Sequence, residues 1–209
     1  MPSGSASILI VCAANVCRSP MAALTLRRAL GELAGFEHVR VASAGLSAAS
    51  HRGVCSEVAG YHDDEEWRDI TSSHRPRTLE AGHVLGASVV LAASRGIRSA
   101  IVSAVPERRD RVFTLREALW LGEGFVRDAG ARGDDAVEAL CHHLDRARGL
   151  RPAPTEPRRL PWSRRPGHPA DIADGHQLRA GAHRSTVREV DHAARAIASL
   201  ISGSPAPRA

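Results

Sequence analysis

The sequence predicts an α/β fold: a three-layer sandwich with a central four-stranded parallel sheet, helices on both faces, and a Cys-x5-Arg loop after strand 1. Three observations predict it. A continuous apolar run, Ile8-Leu9-Ile10-Val11, stands near the N-terminus, as a strand buried on both faces does. It leads directly into Cys12-Ala13-Ala14-Asn15-Val16-Cys17-Arg18-Ser19-Pro20, a tight turn that closes on a helix start. Strand and helix patterns then alternate as far as Leu121, the mark of a parallel sheet with helical crossovers.

Element by element, strand 1 covers Ser7 to Cys12. Ser19 reads as an N-cap and Pro20 as the first helical residue, and Ala23, Leu26, Leu30 and Leu33 then repeat at helical spacing. His38 to Ser43 alternates as a second strand, ended by Ala44-Gly45. A helix is predicted over Gly53 to Gly60, an acidic loop over His62 to Arg68, and a further helix over Thr78 to Gly86. Ala87 to Ala92 is the third strand, Arg95 to Val105 a helix stopped by Pro106, Arg111 to Leu115 the fourth strand, and Arg116 to Leu121 a helix. Residues 122–169 read as a flexible, Arg- and Pro-rich insertion, with one helical pattern from Asp134 to Arg148 carrying Val137, Leu140 and Leu144 on one face. Val187, Val190, Ala194, Ile197 and Ile201 mark the last helix, and 203–209 a disordered tail. The whole chain, 1–209, reads as one domain.

Composition narrows the function classes. Hydrophobic residues make up 43% and charged residues 24% of the 209, as in a globular protein with a full core. The net charge of +5 comes entirely from arginine, which favours anionic ligands. No arginine stripe is interleaved with aromatics, which argues against nucleic acid, and no run approaches the roughly 20 apolar residues of a membrane span. Without a signal-type N-terminus the chain is expected in the cytoplasm, as a monomer, with Cys12, Cys17, Cys55 and Cys141 reduced. Their spacing matches no common zinc site, and neither a metal nor a cofactor is expected.

The loop carries the chemistry. A turn that presents backbone N–H groups inward, with a helix N-terminus behind it, wraps a phosphate-sized anion. Cys12 lies beneath such an anion as the one strong nucleophile of the loop. The helix end, the Arg18 guanidinium and the converging N–H groups favour a negative charge there, and Ser19 offers a hydroxyl to the same sulfur. Arg18 supplies the planar fork that holds two phosphate oxygens at once, which lysine lacks. Together these residues specify thiolate attack on phosphorus.

CAANVCRSPMA resembles the phosphate loop of the low-molecular-weight protein-tyrosine phosphatases, roughly V-C-x-G-N-x-C-R-S-P-x-A. Ser43-Ala44-Gly45 is similar to that family's S-A-G, and Ser73-His74-Arg75-Pro76-Arg77 to its S-H-x-A-R. The resemblance covers about Ala6 to Leu121 and resumes near Asp171. It implies Cys12 as nucleophile, Arg18 as phosphate clamp and Ser19 as partner of the thiolate. It implies a phosphate-binding loop of Ala13, Ala14, Asn15, Val16, Cys17, Arg18 and Ser19, with Asn15 in a strained conformation held by Ser43 and His74. Asparagine tolerates positive φ better than most residues, which fits that placement. Cys17 matches the family's second loop cysteine, a reversible disulfide partner for Cys12 or a small packed residue. Asp171-Ile172-Ala173-Asp174-Gly175-His176 resembles the family's D-I-P-D-P, which makes Asp174 the general acid and Asp171 the second choice.

The chain departs from the pattern in four respects. Gly175 replaces a proline, His176 and Gln177 replace tyrosines that wall the substrate ring, and Ser47 to Gly53 lacks the usual tryptophan, leaving His176 or Trp162 as substitutes. Ala14 replaces a glycine and fits only with negative φ. The expected partner is a phosphorylated protein or a small aryl phosphate. Related readings are an arsenate reductase, disfavoured because Cys55 and Cys141 are far apart, a phosphoarginine phosphatase, disfavoured by apolar Val16, and a phosphate-binding regulatory protein with weakened catalysis.

Overall fold

The apolar run that opens the chain becomes the middle of a sheet. The computed structural model describes residues 7–48, 52–154, 167–177 and 180–204. Among them β1 (Ser7–Cys12), β2 (Arg40–Gly45), β3 (Val89–Ala92) and β4 (Val112–Thr114) form one four-stranded sheet in the order β2-β1-β3-β4, every pair parallel. Alternate residues of β1 serve two cores. Ile8 and Ile10 pack with Met21, Leu26 and Val190, while Leu9 and Val11 pack with Val84, Ile97 and Ile101. This period-two division makes both faces of the sheet apolar and demands helices on each.

The helices are α1 (Arg18–Gly31), α2 (Ser56–Ala59), α3 (Glu65–Ser73), α4 (Ala81–Leu85), α5 (Arg95–Ala104), α6 (Leu115–Leu121), α7 (Gly133–Ala147) and α8 (Ala180–Ser202). α4 and α5 cover one face, and α1, α7 and α8 contribute to the other. α1 lies along α8, where the buried Thr25 hydroxyl donates to Asp191 at 2.9 Å. The strand order reverses direction at β1, with β2 on one side and β3 on the other. That switch point, at the carboxyl ends of the strands, is where open α/β sheets place their ligand sites. Cys12 is the last residue of β1.

Several sequence expectations change. His62 to Arg68 is not all loop, because α3 begins at Glu65. Asp64 caps it by accepting from the Trp67 amide, and Glu65 and Glu66 complement the positive end of the helix dipole, so the acidity marks a helix start. Ser19 is not an N-cap either. α1 starts at Arg18, Cys17 holds the cap position without a side-chain bond, and Pro20 falls in the first turn, where no N–H is needed. Within 122–169 the helical pattern expected over Asp134 to Arg148 is α7 (Gly133–Ala147), and its Val137, Leu140 and Leu144 are buried in the core as that pattern implies. Residues 155–166, including Trp162, and 205–209 of the tail lie outside the described residues.

Candidate active site

Four backbone segments converge beyond the end of β1. The loop itself comes first. Asn15 is the one described non-glycine residue with positive φ, at 56°, so Ala14 avoids that region as its methyl requires. Asn15 is fully buried, and every polar group of its side chain is used. Its amide nitrogen donates to the hydroxyls of Ser19 and Ser43, both at 2.9 Å, and its amide oxygen accepts from the Arg77 backbone at 3.0 Å. The His74 ring donates from Nε2 to the Asn15 carbonyl at 2.9 Å, and burial holds that imidazole below its ordinary pKa. The structure thus brings Asn15, Ser43 and His74 together, and Arg77 joins them through its main chain.

Gly45 has a reason of its own. A Cβ there would come within 2.7 Å of the Asn15 nitrogen and 2.8 Å of the Ala13 oxygen and the Ala14 carbonyl carbon. The end of β2 thus presses directly on the loop, and only glycine leaves room.

Cys12 is buried, and its Sγ lies 3.0 Å from the Ser19 hydroxyl. That hydroxyl also faces the Ala44 carbonyl at 3.2 Å. Ser19 has a single proton for two acceptors. With Cys12 as a thiol, the S–H donates to Ser19 and the hydroxyl donates to Ala44; with Cys12 as a thiolate, the hydroxyl turns to the sulfur.

Arg18 reaches across to the fourth segment. Its Nη1 donates to the Ile172 carbonyl at 3.1 Å and its Nη2 to Asp174 Oδ2 at 2.7 Å, with the guanidinium side chain 7% exposed. Ile172 is tied to the end of β3 by its amide, which donates to the Ala93 carbonyl at 2.9 Å. The two candidate acids are separated. Asp171 is spent on the start of α5, accepting from the Arg95 amide at 2.7 Å, while Asp174 stands at Arg18.

The second loop cysteine faces elsewhere. Cys17 Sγ lies 3.2 Å from His183 Nε2 on α8, and Cys55 Sγ lies 3.4 Å from the same nitrogen. Cys17 and Cys55 share a hydrogen bond that holds Cys55 below the ordinary thiol range and pushes Cys17 above it. Neither Cys55 nor His183 is signalled by the sequence, since each stands alone and far from the loop. Cys141, in α7, is pushed up to about 12 by burial. Val16 is buried in the core and brings no hydroxyl to the loop. His176 is exposed, and its amide donates to Asp174 Oδ1 at 3.2 Å. Residues 49–51 of the Ser47–Gly53 stretch lie outside the described residues.

Residues 7–148 match the family model described as low molecular weight phosphotyrosine protein phosphatase. The chain belongs to this family. Family membership makes it a phosphoric monoester hydrolase. It is 36% identical over 123 residues to a protein-arginine-phosphatase of Geobacillus stearothermophilus, covering 58% of this chain and 76% of the relative. It is 31% identical over 143 residues to the low molecular weight protein-tyrosine-phosphatase Wzb of Salmonella typhi, covering 67% and 87%. Among solved structures, the YwlE arginine phosphatase from Geobacillus stearothermophilus superposes with a TM-score of 0.58 at 25% identity, covering 93% of this chain and 91% of that one. A low molecular weight protein tyrosine phosphatase from T. tengcongensis has the same fold, with a TM-score of 0.58 at 22% identity, covering 92% and 97%.

Proposed function

We propose that this phosphatase hydrolyses phosphotyrosine and other aryl phosphate monoesters of protein substrates, with Cys12 as nucleophile, Arg18 as clamp and Asp174 as general acid and base. The observation that carries the reading is the meeting of these three groups: Cys12 ends β1 beneath the loop, and Arg18 and Asp174 stand 2.7 Å apart beside it.

The Cys12 thiolate attacks phosphorus, an S–P bond forms and the bond to the leaving oxygen breaks. Asp174 gives its proton to that oxygen. Arg18 spans two of the remaining phosphate oxygens and offsets their charge in the transition state. Phosphate and Asp174 both claim Arg18 Nη2, so substrate entry frees the carboxyl to face the leaving group. Water then attacks the phosphocysteine, Asp174 takes its proton, and the S–P bond breaks to return the thiolate. The Ser19 proton, turned from Ala44 to sulfur, stabilises that leaving thiolate.

The reading extends to a single-domain monomer working in the cytoplasm, a compartment in which its four free cysteines stay reduced; among the described residues no helix is long and apolar enough to cross a membrane. A second reading, phosphoarginine as substrate, is favoured by the similarity to arginine phosphatases. The missing hydroxyl at Val16 weighs against it, because a guanidinium would meet no acceptor there. Turnover of p-nitrophenyl phosphate by the wild type, abolished in Cys12→Ser and reduced about 100-fold or more in Asp174→Ala, is expected. No wild-type turnover at mildly acidic pH would refute an enzyme; unchanged turnover in Asp174→Ala would move the acid, first to Asp171. Peptides bearing phosphotyrosine, phosphoserine or phosphoarginine separate the substrate readings.

A further inference from the structure

Beside the phosphate loop, and outside the chemistry assigned to it, one group of four metal-ligating side chains gathers among the described residues. Cys17, Cys55, His176 and His183 bring two sulfurs and two imidazole nitrogens within 4.8 Å of one another. We propose that they form a tetrahedral site for a single zinc ion.

The geometry is close to what zinc requires. Bonds of about 2.3 Å to sulfur and 2.0–2.1 Å to nitrogen, set at tetrahedral angles, need S···N separations of about 3.6 Å and S···S of about 3.8 Å. His183 Nε2 already stands 3.2 Å from Cys17 Sγ and 3.4 Å from Cys55 Sγ. One ring nitrogen makes only one hydrogen bond, so two buried thiols converging on it are not explained by hydrogen bonding alone. A cation on that nitrogen's lone pair serves both sulfurs at once. Two thiolates and two neutral imidazoles select zinc over magnesium or calcium, which prefer oxygen. Binding releases the protons of the Cys17 and Cys55 thiols to solvent as both become thiolate ligands, and no oxidant or reductant is needed.

The fourth ligand depends on close backbone packing. The His176 and His183 rings lie 4.3 Å apart, and a Cβ on Gly175 would come within 2.7 Å of the His183 ring and 2.9 Å of its Cα. Glycine at 175 is what lets the turn bearing His176 settle against α8. His176 is exposed, so its ring is free to complete the tetrahedron. The four ligands come from the phosphate loop, the residue capping α2, the turn Gly175–Gln177 and α8. An ion there would staple the loop, next to Arg18, to the turn that follows Asp174. It would also remove Cys17 from any pairing with Cys12.

Reduced full-length protein, freed of metal by chelator, is titrated with Zn2+ and separately with Co2+. The expected result is one saturable equivalent and, for Co2+, intense visible bands of a tetrahedral thiolate complex. Cys55→Ser and His183→Gln should each weaken binding by more than the roughly 10- to 100-fold lost when an outer-shell partner is removed. Cys12→Ser and Cys141→Ser should leave it intact. Circular dichroism confirms that each variant is folded, and His176→Ala, exposed at the surface, is a second test if Cys55→Ser is not. No saturable binding, a weak octahedral cobalt spectrum, or loss of binding in Cys12→Ser with retention in Cys55→Ser would overturn the proposal. So would a Cys17–Cys55 disulfide in air-exposed protein with no metal uptake after reduction. Because binding is read without substrate, failure of the phosphatase reading would leave this result unaffected.

Discussion

Replacing Asn15 is the most direct probe of the loop, because backbone strain and buried hydrogen bonds meet in that one residue. Asn15→Ala removes the two donations to Ser19 and Ser43 and leaves the Arg77 amide without its acceptor. An orphaned amide costs about 1–3 kcal/mol and each lost neutral hydrogen bond about 0.5–1.5 kcal/mol. The hydroxyls of Ser19 and Ser43 can turn to other partners, which places the total near 2–4 kcal/mol, a large share of the ~5–15 kcal/mol that holds a domain folded. Alanine also has to adopt φ 56°. A left-handed L-residue costs about 1–2 kcal/mol, while glycine loses about 0.5–1 kcal/mol more chain entropy than alanine on folding. Asn15→Gly should therefore be the more stable of the two by up to about 1.5 kcal/mol, with the hydrogen-bond loss common to both. Urea unfolding of the three proteins reads these differences, and p-nitrophenyl phosphate turnover should fall in both variants. Two variants within about 0.5 kcal/mol of the wild type would refute the reasoning that the network holds the loop.

Further outcomes follow from neighbouring groups. Gly45→Ala must push the loop backbone aside, and a displacement of about 1 Å should cost about 100-fold in kcat/KM while circular dichroism stays native; activity within about threefold of wild type would show that the contact is slack. His74 has its folded pKa below the roughly 6.5 of the unfolded chain, so its contribution to stability is complete above pH 6.5 and is lost as pH falls through the folded value. Urea midpoints should decline below pH 6.5 less steeply in His74→Gln than in the wild type, and a steeper decline would contradict the assignment. In metal-free protein, peroxide should inactivate reversibly by joining Cys12 to Cys17, with both thiols oxidised and peroxide reduced to water; mass spectrometry finding only a sulfinic acid at Cys12, or a Cys17–Cys55 bond, would reject this.

What the sequence made legible was local. A buried strand, a loop and a helix start are written in consecutive residues, so the sheet's middle strand and the position of Cys12 at its end could be read directly. The Asn15 support was legible only through resemblance, since Ser43 and His74 mean nothing at their own positions. The misreadings have physical causes. Asp64-Glu65-Glu66 looked like solvated loop because acidic residues serve both loops and helix starts. Ser19 looked like a cap because its hydroxyl is suited to that use, but the buried Cys12 and Asn15 claim it instead. Cys55 and His183 were invisible for a different reason: no periodicity or spacing links residues that meet only when α8 closes over the loop.

That closure has a cost in time. Arg18 is bonded to residues 154 and 156 positions further along the chain, and Thr25 to one 166 positions away. A ribosome adding about 5–20 residues per second needs roughly 8–30 s to make the 156 residues between Arg18 and Asp174. Throughout that interval the nascent chain carries Cys12 and Cys17 without the helix that packs against the loop. The reactive loop is made well before the helix that completes it, so it emerges as an unfinished thiol pair whose safety rests on the reducing power of its surroundings rather than on its own fold.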